Sequence, residues 1–273
     1  MIQSIPNSVP EPHRTFLRQL LERLSTDERI VGIAAGGSYL TNSMDEFSDL
    51  DLVIAVEPAE YGAVMADRRA MAASLGHLLA AFTGEHVGEP RLLICLYDEP
   101  LLHVDLKFVS LEAVAERVED PAILWEREGR LAEALGRGTA EFPAPDPRWI
   151  EERFWIWVHY GAGRIGRGEL FEAIDFLSFL RTSVLGPLAL RRAGARPQGV
   201  RKIERVAPAF ASELRRTLPG YDATECLRAL RACVEIYQGL RSPAEGAEVD
   251  GAPERAATEY LSRLEQRYGL TRQ

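Results

Sequence analysis

Two aspartates, Asp49 and Asp51, are separated by one residue at the start of an apolar stretch that continues to Val56. Side chains at positions i and i+2 of an extended strand point to the same face, so the two carboxylates project together from Cα atoms about 7 Å apart. Carboxylates this close repel each other unless a cation lies between them. Mg²⁺ prefers oxygen ligands and commonly binds one or two carboxylates together with substrate phosphates. The pair therefore indicates a magnesium site, although short acidic pairs more often cap surface turns.

A third aspartate, Asp105, lies in a second apolar run, where the same alternation places His103 and Lys107 on its face. An unpaired carboxylate is costly to bury among apolar neighbours. If the two strands are adjacent, three carboxylates converge and could hold two metal ions roughly 3.5–4 Å apart for an in-line displacement. We therefore predict that Asp49, Asp51 and Asp105 are metal ligands and catalytic residues.

Gly37 and Ser38 follow the preceding apolar run, just before a predicted helical turn. Glycine lets the backbone approach a ligand closely, and free N–H groups at a helix start attract phosphate. A glycine–serine pair alone is usually a plain turn, but beside three aspartates it predicts a nucleotide triphosphate site. Lys107 is the best candidate cation for the leaving pyrophosphate, because strand alternation puts it on the Asp105 face.

These motifs resemble the signature of the DNA polymerase beta-like nucleotidyltransferase superfamily: Gly37-Ser38, Asp49-Leu50-Asp51 eleven residues later, and a carboxylate on a later strand. Within the superfamily, Ser48-Asp49-Leu50-Asp51-Leu52 and the helical second half are most similar to the small bacterial nucleotidyltransferases of aminoglycosides and lincosamides. The resemblance implies that Asp49 and Asp51 bind Mg²⁺ and that Gly37 and Ser38 hold the triphosphate. It makes Asp105 the third carboxylate, as a metal ligand or as a base toward the acceptor hydroxyl.

The activity that the resemblance implies is magnesium-dependent nucleotidyl transfer by an enzyme. The hydroxyl of a small-molecule acceptor, such as an aminoglycoside or lincosamide antibiotic, would attack the α-phosphorus of a nucleoside triphosphate and release pyrophosphate. ATP is the expected co-substrate and two Mg²⁺ ions the expected cofactors, with catalysis by positioning and charge neutralisation. Antibiotic resistance is the implied role. Two alternatives stay open: a toxin–antitoxin nucleotidyltransferase that modifies a protein or RNA partner, and an inactive binding or scaffold protein with the same fold.

The elements that must position these residues are predicted from periodicity. In the first half, helical spacing predicts helices at 13–24 and 59–83, and apolar runs predict strands at 29–35, 50–56, 91–97, 101–109 and, more weakly, 122–127. This order is typical of an α/β (α+β) nucleotidyltransferase domain with a mixed sheet of four or five strands.

A proline-rich segment, 142–147, separates the halves, since three prolines exclude a helix or a central strand. We predict a nucleotidyltransferase catalytic domain at 1–142 and a C-terminal helical domain for acceptor binding at 147–273. Apolar residues three and four apart predict an antiparallel helical bundle, with helices at 148–166, 170–192, 201–218, 224–240 and 254–268. Two acceptor contacts are predicted there: Asp175, for a cationic acceptor, and Trp155, in an aromatic-rich helix that otherwise indicates core.

The charge distribution limits the classes of partner that the protein can be expected to bind. The 273 residues carry a net charge of −9, with −12 in residues 1–145 and +3 in residues 146–273. This balance disfavours binding to nucleic-acid backbone or to an anionic membrane. No apolar run approaches the roughly 20 residues of a membrane span. We therefore expect a small-molecule acceptor, no nucleic acid and no membrane, and a homodimer stays open.

The cysteines indicate the compartment. Cys226 and Cys233 lie roughly 10 Å apart along a predicted helix, beyond the ~7 Å that a disulfide spans, and Cys95 reads as a small buried hydrophobe. A reduced, cytoplasmic protein is expected.

Overall fold

The computed structural model describes residues 3–241 and 251–270. The chain divides into two compact units, Met1–Glu141 and Phe142–Gln273. Each unit has a large hydrophobic core made of its own residues.

The first unit is a mixed β-sheet with helices, and its described part has six strands in the order β3-β4-β5-β2-β1-β6. β2 and β5 run parallel, and the other neighbouring strands are antiparallel. The strands are β1 Ile30–Ala35, β2 Leu50–Val56, β3 His77–Gly84, β4 Glu89–Asp98, β5 Leu102–Ser110 and β6 Ala122–Glu126. The helices are α1 Glu11–Leu24, α2 Tyr61–Ala73 and α3 Arg130–Leu135.

The pattern of buried side chains differs between the strands of this sheet. β1 is buried at every position, whereas β5 alternates, with Val104 and Leu106 in the core and Asp105 only partly buried on the opposite face. This alternation leaves the polar face of β5 open for chemistry while its apolar face holds the sheet to the core. The predicted mixed α/β sheet followed by a helical half is confirmed.

One predicted helix of the first unit is partly wrong. The spacing predicted helix through 59–83, but α2 ends at Ala73 and β3 begins at His77, antiparallel to β4. Backbone pairing with β4 overrides the alanine-rich helical pattern, because strand formation depends on neighbours more than on local propensity. β3 raises the strand number above the predicted four or five, and α3 was not predicted.

The second unit is helical throughout its described residues. Its helices are α4 Pro147–Gly166, α5 Leu170–Leu180, α6 Gly186–Arg192, α7 Ile203–Val206, α8 Pro208–Leu214, α9 Ala223–Leu240 and α10 Ala252–Arg267. Here the single helix predicted over 201–218 is wrong. It divides into α7, α8 and the 3₁₀ turn Arg215–Thr217, because Pro208 has no N–H to donate and forces Ala207 out of helical geometry (φ −137°, ψ 63°).

A continuous helical run, Leu170–Arg192, joins α5 to α6 through the π-helical turn Arg181–Leu185. At 23 residues it is long and apolar enough to cross a bilayer, an exception to the expectation that no run approaches that length. Half of its apolar window is buried inside the protein. Leu177, Leu180 and Val184 are at most 1% exposed in the core of the second unit, which is the environment of a core helix.

Candidate active site

The parallel pairing of β2 with β5 brings the predicted carboxylates together. Asp51 lies directly opposite Asp105 in the register of the two strands, and Asp49 immediately precedes β2. One ligand oxygen from each of Asp49, Asp51 and Asp105 lies within 4.8 Å of the other two, and all three residues are partly buried. The two-residue alternation along a strand predicts the face on which each aspartate lies. The register between β2 and β5 is what brings the aspartates of the two strands together.

This arrangement concentrates negative charge on the central strand pair β2–β5. Three close carboxylates repel one another, so a cation among them stabilises the arrangement. His103 Nε2 lies 2.9 Å from Asp105 Oδ1 and orients that carboxylate from the same strand face. A set made only of carboxylate oxygens suits a hard divalent cation such as Mg²⁺ better than a soft metal. The residues present therefore fit a magnesium site.

Gly37 forms a tight turn against this cluster. It opens the 3₁₀ turn Gly37–Tyr39 after β1 and has φ = 60°, a left-handed conformation that favours glycine. A Cβ atom on Gly37 would lie 2.0 Å from Asp51 Oδ2. The neighbouring Gly36 N–H donates to the Asp51 carbonyl at 2.8 Å, which ties the turn to β2. The turn thus brings backbone to within contact distance of a candidate metal ligand.

Ser38 supplies an unused polar group next to that turn. Its Oγ is buried and has no hydrogen-bond partner within the described part of the chain. Buried hydroxyls are nearly always hydrogen-bonded, so an unsatisfied one in a candidate site indicates a ligand atom nearby. A triphosphate oxygen is an acceptor of the kind that this hydroxyl lacks.

Two further residues at the site were missed by sequence reasoning. Glu119 Oε1 accepts the Gly37 N–H at 3.0 Å across 82 residues of sequence, and no local motif marks it. His13, on the apolar face of α1, is only 2% exposed, and its Nε2 lies 2.7 Å from the Ser48 carbonyl, immediately before Asp49. A lone histidine among the buried positions of an amphipathic helix was the only available signal for the second contact.

The comparison with protein families decides what this unit is. Residues 17–117 match the family described as nucleotidyltransferase domain, and this range includes the turn and all three aspartates. The chain carries a nucleotidyltransferase domain. The match confirms the predicted superfamily and the prediction of a nucleotidyltransferase enzyme.

Two solved structures of low identity also resemble this chain. An aminoglycoside 6-adenyltransferase from Bacillus subtilis is 16% identical with a TM-score of 0.41, and the alignment covers 90% of this chain and 96% of that one. A nucleotidyltransferase-like protein from Exiguobacterium sibiricum is 16% identical with a TM-score of 0.38, covering 95% and 93%. Because both TM-scores lie below 0.5, neither likeness carries an argument about the acceptor. A search of curated proteins gives no match.

Lys107 of the nucleotidyltransferase domain stands on the Asp105 face of β5, but its ammonium group is already engaged. Its Nζ lies 2.7 Å from Glu89 Oε2, and Arg91 binds the same carboxylate at 2.6 Å. The Arg91 guanidinium, and then Lys107, lower the pKa of Glu89 to about 2. Lys107 would have to leave Glu89 to meet a pyrophosphate.

The two predicted acceptor contacts of the second unit differ in exposure. Asp175 lies on the exposed side of α5 and is available to a ligand. Trp155 is only 3% exposed, its Nε1 donates to Glu151 at 2.8 Å, and its ring packs edge-on against Phe154. Almost all of the Trp155 surface is already buried in the core, and its role as an acceptor contact stays a prediction.

Proposed function

We propose that the protein transfers a nucleoside monophosphate from ATP to a hydroxyl group of a small-molecule acceptor and releases pyrophosphate. The observation that supports this most directly is the cluster of Asp49, Asp51 and Asp105, with ligand atoms within 4.8 Å of one another, in a nucleotidyltransferase domain. Phosphoryl-group transfer of this kind needs positioning and charge neutralisation more than covalent chemistry by the protein.

Each residue of the site has a proposed task. Asp49 and Asp51 hold the metal, and Asp105 completes the ligand set or accepts the proton of the acceptor hydroxyl, with His103 fixing its orientation. Two bound Mg²⁺ ions would neutralise charge on the triphosphate and polarise its phosphorus. The Gly37 turn lets the triphosphate approach the backbone, and Ser38 Oγ donates to one of its oxygens.

The acceptor part of the proposal rests on charge and exposure. A cationic, hydroxyl-rich acceptor such as an aminoglycoside would be attracted to an acidic chain, and Asp175 on α5 offers an exposed carboxylate. A lincosamide is the second acceptor class to test. Lys107 is proposed to break its ion pair with Glu89 and then bind the leaving pyrophosphate. The free, buried Cys95, Cys226 and Cys233 suit a reduced, cytoplasmic setting.

The first experiment is calorimetric binding of ATP and GTP in the presence of Mg²⁺. Wild type is compared with the double variant Asp49→Asn/Asp51→Asn and with Asp98→Asn, a matched control at the exposed end of β4. We expect metal-dependent nucleotide binding that the double variant loses and the control keeps. Absence of nucleotide binding to wild type, even with Mn²⁺, would refute the active-enzyme proposal.

The acceptor is tested separately by pyrophosphate release against a panel of aminoglycosides and lincosamides. Acceptor-dependent release with wild type, lost in the double variant, is the expected result. If the protein binds nucleotide but no member of the panel causes pyrophosphate release, these antibiotics are not its acceptors. The proposed nucleotide site would still stand.

A further inference from the structure

A cavity of about 430 Å³ opens in the second unit, away from any residue assigned above. Its apolar wall comes from the broken segment after α6 and from the turn that follows α8, and its apolar lining residues include Val200, Ile203, Pro208, Leu214 and Leu218. Cavities of roughly 300–1,000 Å³ with mostly apolar walls and a few polar groups are the usual form of small-molecule sites.

One polar group of this cavity is an arginine that donates hydrogen bonds to neutral partners. Arg181 Nη1 donates to the Thr217 carbonyl and, at 3.4 Å, to Thr217 Oγ1. No carboxylate among the residues that the structure describes lies within ion-pair distance of Arg181. A guanidinium has five N–H donors in a fixed plane, so most of the donors of Arg181 are not used by Thr217.

Two other partly buried arginines of the same unit each form an ion pair with a glutamate. Arg231 bonds Glu265 at 2.6 Å, and Arg164 bonds Glu169 at 2.7 Å. Glu169 raises the pKa of Arg164, whereas burial lowers the pKa of Arg181. A partly buried cation without an anion costs free energy unless something else neutralises it, which indicates an external anion at Arg181.

The helix itself is interrupted at this position. Arg181 is the first residue of the π-helical turn Arg181–Leu185 between α5 and α6. Such turns occur mostly as single insertions in α-helices and are frequent at functional sites. This observation is independent of the charge argument and concerns the same residue.

The remaining charges of the cavity limit the ligand. Arg215 is a second lining cation without an ion pair to the described residues, and Glu204 is the one carboxylate of the lining. Two arginines and one glutamate leave a single net positive charge, which one monoanion neutralises. The apolar wall calls for a hydrophobic body attached to that anion.

We propose that this cavity, which we name the Arg181 pocket, binds a small amphipathic monocarboxylate whose carboxylate pairs with Arg181 and whose apolar body lies against Ile203, Leu214 and Leu218. Carboxylate geometry matches the planar fork of a guanidinium, which can donate two parallel hydrogen bonds. This site is separate from nucleotidyl transfer and is tested without any activity measurement.

The test is calorimetric titration of the full-length protein with octanoate, 1-octanol and inorganic phosphate. Octanoate should bind, while octanol, which has the chain but no charge, and phosphate, which has the charge but no chain, should each bind at least about ten-fold more weakly. For octanol this size follows from the usual strength of hydrogen bonds to charged groups, and for phosphate it follows from the missing burial of an apolar chain.

Three variants locate the binding. Arg181→Met should weaken octanoate binding by about ten-fold or more, and Ala211→Phe, which fills the cavity without altering the cation, should weaken it similarly. The matched control Arg205→Met removes an exposed arginine of α7 that does not line the cavity, and should leave binding unchanged. If Arg181→Met does not fold, Arg181→Lys and Ala211→Phe carry the test.

Several outcomes would overturn the proposal. These are no octanoate binding to wild type, equal binding of octanoate and octanol, phosphate binding as tight as octanoate, or unchanged octanoate binding in a folded Ala211→Phe protein. Loss of nucleotide binding has no bearing on this result, so the pocket and the proposed function can fail independently.

Discussion

The two units place charge in opposite ways. The first gathers three carboxylates with ligand atoms within 4.8 Å, whereas the second leaves the Arg181 guanidinium among a carbonyl, a hydroxyl and apolar walls. In both places charge of one sign indicates a ligand of the other sign. The difference lies in how they are built: strand register forms the first, and an interrupted helix forms the second. Charge in a strand pair can be located from sequence period, while charge beside a helix break cannot.

The largest expected effect tests whether the acidic cluster serves activity at the expense of stability. Asp51→Asn should lower the rate of pyrophosphate release by at least about 10²–10³-fold, as loss of one preorganised electrostatic group does. The same change should raise the unfolding temperature of the metal-free protein, because it relieves repulsion between close carboxylates. Steady-state kinetics and thermal unfolding measure both effects, with Arg205→Met as the control. An unchanged rate of pyrophosphate release in Asp51→Asn would show that Asp51 is not a catalytic residue.

The next prediction asks whether the Gly37 turn is part of the site or only a turn. Gly37→Ala should lose activity by about 10²-fold or more, because its Cβ would lie 2.0 Å from Asp51 Oδ2. Gly88→Ala is the matched control, since Gly88 also has positive φ (75°) but nothing within 4 Å of the added atom. Both variants should lose roughly 1 kcal/mol of stability from backbone strain. Gly37→Ala should lose more, because its Cβ must displace the Asp51 carboxylate, and only Gly37→Ala should lose activity. Equal kinetics in the two variants would contradict a role for the turn.

A third prediction concerns the support of the acidic cluster from α1. His13→Ala should cost roughly 1–3 kcal/mol of unfolding free energy, because it leaves the Ser48 carbonyl without its buried partner. Because Ser48 precedes Asp49, the variant should also need several-fold more Mg²⁺ for half-maximal turnover. His13→Gln, which keeps a donor, should restore part of the Mg²⁺ dependence. Loss of stability with unchanged Mg²⁺ dependence would limit His13 to a packing role.

The smallest effect concerns the ion pairs of Glu89, one of which engages Lys107. Arg91 and Lys107 lower the pKa of Glu89 to about 2, so the folded state favours its ionised form. The resulting stabilisation is complete above the ordinary pKa of about 4.5 and is lost as pH falls toward 2. Glu89→Gln should therefore flatten the dependence of the unfolding temperature on pH between about 4.5 and 2. An unchanged pH profile would show that this ion pair contributes little to stability.

The sequence predicts those parts of the molecule whose secondary structure follows from the local spacing of apolar and polar residues. Asp49, Asp51 and Asp105 came from alternation along two strands, and β2 has the predicted bounds. β3 was missed because its residues satisfy a helical period and form a strand only through pairing with β4. The Glu119 contact joins residues 82 apart, and the Arg181 pocket depends on where Pro208 breaks a helix, so neither leaves a periodic signal.

The parallel register of β2 and β5 has a consequence for assembly of the protein. Asp51 faces Asp105 in the same alignment that sets Leu52 against Leu106 in the core. A slip of one residue would turn Asp105 inward and Leu106 outward, so the hydrophobic core disfavours the one-residue slips that would separate the carboxylates. The contacts that bury Leu52 and Leu106 therefore also help to set the strand register that brings Asp51 and Asp105 together.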